Sequence, residues 1–338
     1  MSTFEVTSEL YSESDFATIN TPNGNSVSRF AFVLPAEQNS KSGKCLNGKN
    51  REPDPDCNNE ERAQYIDPIT HNIECEHKSE NDQSECLKCV PFKRKESLPQ
   101  MDKDGDLVVE RKQKDVIEIE HHKSTKLDLV GLQIWRGALL LADYIIYNEK
   151  KFKNRKILEL GSGVGLTSVV SSFFAREVIC TDINVGGLLD LIQSNVNRNS
   201  HLKNPDCNVT VTELDFKVRY EDYPSELKST LQDVEYVIAA DVIYDDDITE
   251  AFVLTLESLL LELPKLKAVY IALEKRYVFT VEDMDSVAPC YEHFLRVFHR
   301  RNNRFGITRW KLMQVPLTFP RYFIYEKVKE LVLLKISN

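Results

Sequence analysis

Residues 156–182, KILELGSGVGLTSVVSSFFAREVICTD, decide the fold of this chain. The stretch predicts an apolar strand, a glycine-rich turn, a helix and a second strand that ends on Asp182. Gly161, Gly163 and Gly165 allow the backbone to come close to a ligand where a Cβ atom would clash. Asp182 follows the first glycine by about twenty residues, the separation at which an acid on the second strand meets the hydroxyl groups of a ribose. The stretch therefore predicts a β-α-β unit that binds a nucleoside-containing cofactor.

The spacing of the glycines distinguishes between cofactors. The dinucleotide fingerprint G-x-G-x-x-G would place a glycine at Leu166, and the third glycine comes one residue earlier. The phosphate-binding motif G-x-x-x-x-G-K-[ST] is absent from the sequence. Glu159, just before the turn, would repel a pyrophosphate but suits a ligand with a positive group. S-adenosylmethionine, with its amino group, sulfonium and ribose, fits this pattern better than NAD. A tight strand–helix turn without a ligand remains the alternative.

The composition bounds the class of protein. Of the 338 residues 42% are hydrophobic, and 53 acidic residues exceed 43 basic ones, which gives a formal net charge of −10. An acidic chain lacks the basic face that binds phosphates, so direct binding of nucleic acid is not expected. The amino terminus lacks the features of a secretory signal, and the apolar runs are too short for a membrane span. We expect a soluble intracellular protein without membrane contact, whose cysteines are reduced.

The sequence divides into a polar extension, residues 1–105, and a folded domain, residues 106–338. Residues from about 37 to 105 are rich in Asn, Asp, Glu, Lys, Ser and Pro, and such a stretch cannot bury enough surface to offset its ordering entropy. We expect it to be flexible. The apolar patch at residues 30–34 is predicted to add one strand to the domain.

In the domain, predicted strands and helices alternate. A strand near residues 115–122 precedes a helix over residues 131–148, whose apolar side chains recur at helical spacing. The further predicted strands are 156–160, 178–181, 209–216, 235–242, 268–273, 310–317 and 322–336. Repeated β-α units of this kind give an α/β fold with a doubly wound, mostly parallel sheet of seven strands. Ligands of such sheets bind at the carboxyl ends of the strands.

Five cysteines lie in the polar extension. Cys86 and Cys89 form a C-x-x-C pair, and together with Cys75 and His77 they have the ligand types of a small zinc knuckle. A second C-x-x-C pair at ribbon spacing is absent from the sequence. Solvated thiols are the preferred interpretation, and we predict no metal site.

Taken together, these residues resemble the seven-β-strand methyltransferases that use S-adenosylmethionine, and more narrowly family 16, which is rich in protein lysine methyltransferases. The resemblance covers roughly residues 102–338. Its motifs are VGLQIW at 130–135, ELGSGVG at 159–165, the acid Asp182, LDF at 214–216 and DVIY at 241–244. One departure is Phe216, which stands where the family usually has Trp; it keeps an apolar face for an adenine ring with a smaller contact area.

The resemblance implies cofactor-binding roles. The glycine turn with Ser162 is expected to hold the amino-acid part of the cofactor near Glu159. Asp182 is expected to accept hydrogen bonds from both ribose hydroxyls. Asp215 is expected to bind the adenine amino group while Phe216 packs on the ring. A helix cap for Asp182 and a plain strand end for Asp215 are the alternatives without a ligand.

The remaining predicted site residues surround the reacting groups. Trp135 is expected to close over the cofactor, unless it is a core residue, and Ala240 to let the cofactor approach the backbone. Asp241 and Tyr244 are predicted to orient the acceptor amine, whose ordinary pKa of about 10.4 requires a site that favours its neutral form. Residues 245–247, three aspartates, are expected to attract a basic substrate segment, although acids are also common at a helix N-terminus.

The resemblance thus implies a monomeric S-adenosylmethionine-dependent protein-lysine N-methyltransferase. Its substrate is expected to be a non-histone protein that presents a lysine in a basic segment, in the nucleus and also in the cytoplasm. The first alternative is a methyltransferase with an arginine, histidine, nucleic-acid or small-molecule acceptor. The second is a cofactor-binding scaffold without turnover. An NAD-dependent dehydrogenase is disfavoured by the position of the third glycine.

Overall fold

The computed structural model describes residues 5–14, 16–22, 24–34, 64–65, 114–280, 285–304 and 309–337, of which residues 64–65, 279–280 and 285–286 are described by their backbone alone. All of these residues belong to the same unit. The predicted flexible stretch, except for residues 64–65, the zinc candidates Cys75, His77, Cys86 and Cys89, and the predicted boundary at residue 105 lie outside the described residues.

The described strands and helices have the following bounds. The strands are β1 (Glu5–Val6), β2 (Thr18–Asn20), β3 (Ser26–Phe32), β4 (Gln64–Tyr65), β5 (Asp115–His121), β6 (Thr125–Lys126), β7 (Lys156–Leu160), β8 (Glu177–Asp182), β9 (Asn208–Glu213), β10 (Tyr236–Ala240), β11 (Ala268–Glu274), β12 (Val278–Thr280), β13 (Asp285–Val287), β14 (Lys311–Gln314) and β15 (Leu331–Ser337). The helices are α1 (Arg136–Tyr147), α2 (Glu149–Phe152), α3 (Leu166–Ser171), α4 (Leu188–Arg198), α5 (Ser225–Leu231), α6 (Asp246–Glu262) and α7 (Pro289–Asn302).

The central sheet has the strand order β4-β14-β15-β11-β10-β7-β8-β9. Strands β7 to β11 are parallel, whereas β15 pairs antiparallel with β11, β14 with β15, and the two-residue β4 with β14. The predicted doubly wound, mostly parallel sheet of seven strands is confirmed, and β4 adds a short edge that the sequence did not reveal. The chain leaves β7 toward β8 and β9, then returns to β10 on the other side. The switch point, where ligands bind in such sheets, therefore lies between β7 and β10.

Both faces of the central sheet are buried. Ile157 of β7 packs in the same core as α1, whereas Leu158 and Leu160 pack in the core that contains α6 and α7. Successive residues of a strand point to opposite faces, so a strand covered on both sides must be apolar throughout. This requirement explains why the parallel strands were visible in the sequence as continuous apolar runs.

A second sheet, β2-β3-β5, joins the first 34 residues to the domain. Strand β3 pairs antiparallel with β5 over seven residues, from Ser26 opposite His121 to Phe32 opposite Asp115. Two asparagine side chains, one in α4 and one just after it, bind the backbone of β5. Asn195 Oδ1 accepts the N–H of Glu120 at 2.8 Å, and Asn199 Oδ1 accepts the N–H of Glu118 at 2.9 Å. The predicted strand at residues 30–34 exists, shifted toward the amino terminus. The described part of residues 5–34 is thus bound to the same unit as the central sheet.

Several element boundaries differ from the predicted ones for physical reasons. The helix predicted from residue 131 begins at Arg136, because Trp135 is extended, with φ −121° and ψ 152°, and a 3₁₀ turn at Leu127–Leu132 precedes it. The last strand begins at Leu331 instead of residue 322. The carboxylate of Asp143 in α1 accepts the N–H groups of Tyr322 and Phe323 at 2.7 and 3.2 Å, which withdraws this segment from the sheet.

One described stretch, Leu127–Tyr147, is long and apolar enough to cross a membrane by length and composition, so the expectation that every apolar run is too short for a span was wrong. It contains the 3₁₀ turn and α1. Of its most apolar window 72% is buried inside the fold, so this stretch has the burial of a core helix.

Candidate active site

A cleft of about 970 Å³, which includes its part open to solvent, lies at the carboxyl ends of β7, β8 and β10 and just after β9. Every predicted site residue except Gly165 lines it: Trp135, Glu159, Gly161, Ser162, Gly163, Asp182, Asp215, Phe216, Ala240, Asp241 and Tyr244. The segment before α1 supplies another wall, through Asp128 to Ile134. The structure therefore brings together residues that are spread over more than one hundred positions of the sequence.

The glycine turn has the backbone conformation that its sequence predicts. Gly161 and Gly163 have φ values of +64° and +53°, a region in which other residues are strained. A Cβ atom on Gly161 would come within 2.6 Å of Val242 Cγ1, and one on Gly163 within 3.0 Å of the carbonyl oxygen of Gly131. Gly165, with φ +82°, precedes α3 and donates its N–H to the Ser162 carbonyl at 2.8 Å. The turn is thus packed closely against two other walls of the cleft.

Glu159 lies at the buried end of the glycine turn. Its side chain is 1% exposed and accepts a short hydrogen bond from the Ser168 hydroxyl. Burial raises the pKa of the Glu159 carboxyl to about 7, although this and other hydroxyl donors oppose the rise. A positive group in the cleft would favour the ionised form, because an opposite charge lowers the pKa of an acid.

Asp182 joins the end of β8 to the glycine turn. Its Oδ2 accepts the N–H of Gly163 and its Oδ1 the N–H of Ile183, both at 2.8 Å. Burial raises the pKa of the Asp182 carboxyl to about 6, against these two hydrogen bonds. Each carboxylate oxygen can accept a further donor. Helix α4 begins only after Gly187, without a side-chain cap, so Asp182 does not serve as its cap.

The residues after β9 form the apolar end of the cleft. Asp215 accepts the N–H of Lys217 through Oδ1 at 2.9 Å. The ring of Phe216 lines the cleft and lies 5.3 Å from the ring of Phe252, centroid to centroid, and its Cζ would be 3.5 Å from a Cβ atom on Gly161. An apolar ring beside a hydrogen-bonding carboxylate is a suitable arrangement for an adenine base.

Asp241 is bound by the backbone at both carboxylate oxygens. Oδ2 accepts the N–H of Gly137 in α1 at 2.7 Å, and Oδ1 accepts the N–H of Glu274 at the end of β11 at 3.0 Å. The residue itself has φ +52°, and a Cβ atom on Gly137 would come within 2.4 Å of Oδ2. Burial raises the pKa of the Asp241 carboxyl to about 6, while the nearby charge of Arg276 lowers it. Both oxygens of the acid that the sequence assigned to the acceptor thus hold α1 against the strands. Asp241 also lines the cleft, and each of its oxygens can accept a further donor.

The aromatic residues of the cleft are held differently from each other. Trp135 donates its Nε1–H to the Val130 carbonyl at 3.0 Å, and the Arg276 guanidinium lies 4.8 Å from its ring centroid. Burial, with the charges of Asp182 and Asp245, raises the pKa of Tyr244 to about 12, so this phenol keeps its proton at neutral pH. Asp245 caps α6 through Ile248 N–H at 3.0 Å, which supports the helix-cap reading for this aspartate.

Two sets of residues, one that lines the cleft and one next to the residues that line it, were not found from the sequence. Residues 128–134 line it, although only Trp135 was assigned a role in the motif VGLQIW, and the motif itself was the signal. The second set, Arg136 and its carboxylate partners Glu13 and Glu274, had no signal because the partners are far apart in the sequence. Within the described ranges, no group of His, Cys, Asp and Glu is arranged to hold a metal ion.

The chain matches one protein family over more than half of its length. A family model described as lysine methyltransferase matches residues 111–288. This match covers the motif VGLQIW, the glycine turn, Asp182 and the motif DVIY.

Two individual proteins are similar to this chain over more than half of its length. Human methyltransferase-like protein 22 is 36% identical over 233 residues, which cover 66% of this chain and 57% of that protein. The runs IWRGALLLADYI at 134–145 and AADVIYDDD at 239–247 resemble the same protein. Mouse protein-lysine N-methyltransferase EEF2KMT is 32% identical over 218 residues, or 61% of this chain and 58% of that protein. The chain thus spans less than two thirds of the length of these curated relatives.

Among solved structures, the magnesium protoporphyrin IX methyltransferase of Synechocystis PCC 6803 with bound SAH matches with a TM-score of 0.38 and 13% identity. The alignment covers 60% of this chain and 84% of that chain.

Proposed function

Because this chain belongs to the lysine methyltransferase family, we propose that it transfers a methyl group from S-adenosylmethionine to the side-chain amine of a lysine in a protein. The observation that carries the proposal is the cleft at the switch point of the sheet, where the glycine turn, Glu159 and Asp182 meet. Membership of this family makes S-adenosylmethionine the cofactor.

The chemistry of the cleft fits this cofactor from one end to the other. Glu159 at the buried end is suited to the cofactor's positive groups, and Asp182 has acceptor capacity for the ribose hydroxyls. Phe216 and Leu214 offer apolar surface for the base, and Asp215 offers a carboxylate beside it. When bound, S-adenosylmethionine would supply a methyl carbon on a sulfonium that a neutral amine can attack in line, so that the C–S bond breaks and S-adenosylhomocysteine leaves as the neutral thioether.

The residues of this chain prepare the acceptor by position and environment. Tyr244 keeps its phenol proton at neutral pH, so its hydroxyl can accept a hydrogen bond from an amine or donate one to it. Trp135 and Tyr244 restrict water around the acceptor, and limited hydration favours the neutral form of a lysine. Asp241 acts as a positioning residue that fixes α1 against β10 and β11. Alignment of two reactants by such a scaffold can supply several kcal/mol, up to about 7–11.

The finer features of the substrate belong to the same proposal. The relative EEF2KMT is named a protein-lysine N-methyltransferase, which supports a protein acceptor. Asp246 and Asp247 follow Tyr244 by two and three residues and are exposed in the first turn of α6. Their negative charge favours a basic segment around the lysine. We place the substrate among non-histone proteins of the nucleus and the cytoplasm on the family resemblance. A monomer without membrane or nucleic-acid contact agrees with the acidic composition.

The direct test is methyl transfer to a lysine. The purified chain is incubated with labelled S-adenosylmethionine and a cell extract, and modified residues are identified by mass spectrometry. The proposal expects labelled methyl-lysine that is absent when Asp182→Ala replaces the wild type. Label on arginine, histidine, nucleic acid or a small molecule would favour another methyltransferase. Absence of transfer with intact cofactor binding would favour a scaffold.

We expect cofactor affinity to decrease on acidification. The pKa values of Glu159 and Asp182 are raised by burial to about 7 and about 6, and a ligand with positive and hydroxyl groups prefers both acids ionised. Below these values the ligand must displace protons, so affinity falls by up to about tenfold per pH unit for each protonated acid. Titration of S-adenosylhomocysteine between about pH 8 and 5.5 measures this slope. Asp182→Asn should remove the part of the slope near pH 6; an affinity that rises on acidification would contradict the assignment.

Reversal of one acid at the mouth of the cleft should weaken substrate binding alone. Asp246→Lys is expected to raise KM for a basic protein substrate about threefold to tenfold and to leave kcat unchanged, because exposed charges steer association. Added salt should reduce the difference. Glu226→Lys is the matched control, since Glu226 is an exposed acid in the first turn of α5. Equal KM changes in the two variants would show that the effect comes from the net charge of the protein and not from the position of Asp246 beside the cleft.

A further inference from the structure

Residues 5–13, here called the N-terminal strap, contact three of the four residues 133–136, which lead into α1. The strap consists of β1, a 3₁₀ turn at Glu9–Ser12 and Glu13. It binds Gln133, Ile134 and Arg136 directly, and Trp135 through one intermediate residue. None of the strap residues lines the cleft, whereas Gln133, Ile134 and Trp135 all do.

Gln133 is the first anchor of the strap. Its side chain is 1% exposed, and its Oε1 accepts the N–H of Ser8 at 2.8 Å. Its Nε2 donates to the Val6 carbonyl at 2.8 Å and to the Thr125 hydroxyl at 2.7 Å. A buried amide with these partners is held in one orientation, because each lost partner would leave a polar group without a hydrogen bond. Gln133, the fourth residue of the motif VGLQIW, thus fixes the strap to the wall of the cleft.

Tyr11 is the second anchor. Its hydroxyl accepts the N–H of Ile134 at 2.7 Å. The Tyr11 ring stacks on the His121 ring with 4.9 Å between centroids, and burial raises the pKa of the Tyr11 phenol above its ordinary value. The phenol is therefore neutral at working pH and remains a fixed partner for the backbone just before Trp135.

Glu13 is the third anchor, and it extends to the acceptor end of the cleft. Glu13 Oε1 accepts Arg136 Nε–H at 2.7 Å, with the two side chains 11% and 7% exposed. The same guanidinium donates to Glu274 Oε2 at 3.1 Å. The N–H of Glu274 is in turn a partner of the Asp241 carboxylate. Glu13 thus belongs to the same hydrogen-bonded chain as a residue that lines the cleft.

Glu9 acts on the indole of Trp135 through Arg276. Its Oε1 accepts Arg276 Nη1–H at 2.7 Å, and the Arg276 guanidinium faces the Trp135 ring. Arg276 is absent from the residues that line the cleft. The ring is consequently held between the cleft on one side and a guanidinium fixed by the strap on the other.

We infer that the N-terminal strap is a working part of the active site, in which Tyr11 and Glu13 are positioning residues for residues 133–136 and so for Trp135 and Asp241. This inference rests on the proposed function. It assigns to residues 5–13 a role in cofactor binding and turnover without contact to the cofactor.

The test uses the full chain with the double variant Tyr11→Phe/Glu13→Gln, which removes two acceptors and keeps the shapes of both side chains. Calorimetric titration with S-adenosylhomocysteine should show affinity about tenfold lower than wild type, and KM for S-adenosylmethionine should rise by a similar factor. Glu5→Gln is the matched control, because Glu5 lies in the same strap and accepts from Ser124 at 2.8 Å. Its affinity should stay within about twofold of wild type.

A second control separates positioning from stability. Phe30→Leu weakens the core of the β2-β3-β5 sheet, where the Phe30 ring contacts the rings of Phe16 and Phe323, and it should lower Tm at least as much as the double variant. The inference is overturned if the double variant binds like wild type, or if Phe30→Leu loses affinity to the same extent. If wild type itself fails to bind, the proposed function fails, and the inference fails with it.

Discussion

Replacement of Asp182 by alanine is expected to abolish most of the cofactor affinity. Hydrogen bonds to a charged group contribute about 1.5–3 kcal/mol each, so loss of two ribose hydrogen bonds should weaken binding about 100-fold or more. The variant also removes the acceptor of Gly163 N–H, which lies 2.8 Å from Oδ2 and helps to fix the glycine turn. Calorimetric titration with S-adenosylhomocysteine measures the change.

Two further variants show whether the loss of cofactor affinity is specific to the Asp182 carboxylate. Asp182→Asn keeps the shape of the side chain and one acceptor, so its affinity should lie between those of wild type and Asp182→Ala. Asp190→Ala removes an exposed acid from the first turn of the neighbouring α4 and should bind like wild type. Undiminished affinity in Asp182→Ala would show that the ligand is not bound at the end of β8.

Replacement of Asp241 by alanine is expected to lower both stability and turnover. The change leaves the N–H groups of Gly137 and Glu274 without acceptors. A buried unsatisfied group costs about 1–3 kcal/mol, so two of them should lower the free energy of unfolding by about 2–6 kcal/mol. Turnover should fall further than cofactor affinity, because the affected segments form the acceptor end of the cleft. Chemical denaturation and steady-state kinetics measure the two effects.

Gly137→Ala tests the same contact from the other side. A Cβ atom at this position would lie 2.4 Å from Asp241 Oδ2, so the variant should displace the carboxylate and reproduce both losses. Asp245→Ala is the control for a nearby acid that caps a helix, and it should cost about 1 kcal/mol. If Asp241→Ala were no less stable than this control but inactive, Asp241 would act on the acceptor directly rather than through position.

The sequence predicted those parts of the fold and site that depend on local pattern. The glycine turn, Asp182, Asp215 and Phe216 were placed together because the carboxyl ends of parallel strands meet at one edge of the sheet. The parallel strands themselves were visible because burial on both faces requires continuous apolar runs.

Long-range hydrogen bonds limited the prediction elsewhere. Asp241 was identified, but its partner Gly137 lies 104 positions away, so the engagement of both oxygens was not visible. Gln133 and Ser8 are 125 positions apart, and a polar stretch separates them, so the strap had no local signal. The start of α1 was misplaced for a related reason, since contacts of the loop before it hold Trp135 extended where apolar periodicity continues.

The central claim is that the cleft binds the adenosyl cofactor of a methyltransferase, and calorimetric titration of the wild-type chain tests it most directly. S-adenosylhomocysteine and NADH are titrated separately under the same conditions. The account predicts that about one molecule of S-adenosylhomocysteine binds per chain with roughly micromolar affinity and that NADH does not bind. Binding of NADH, or of neither compound, would contradict it.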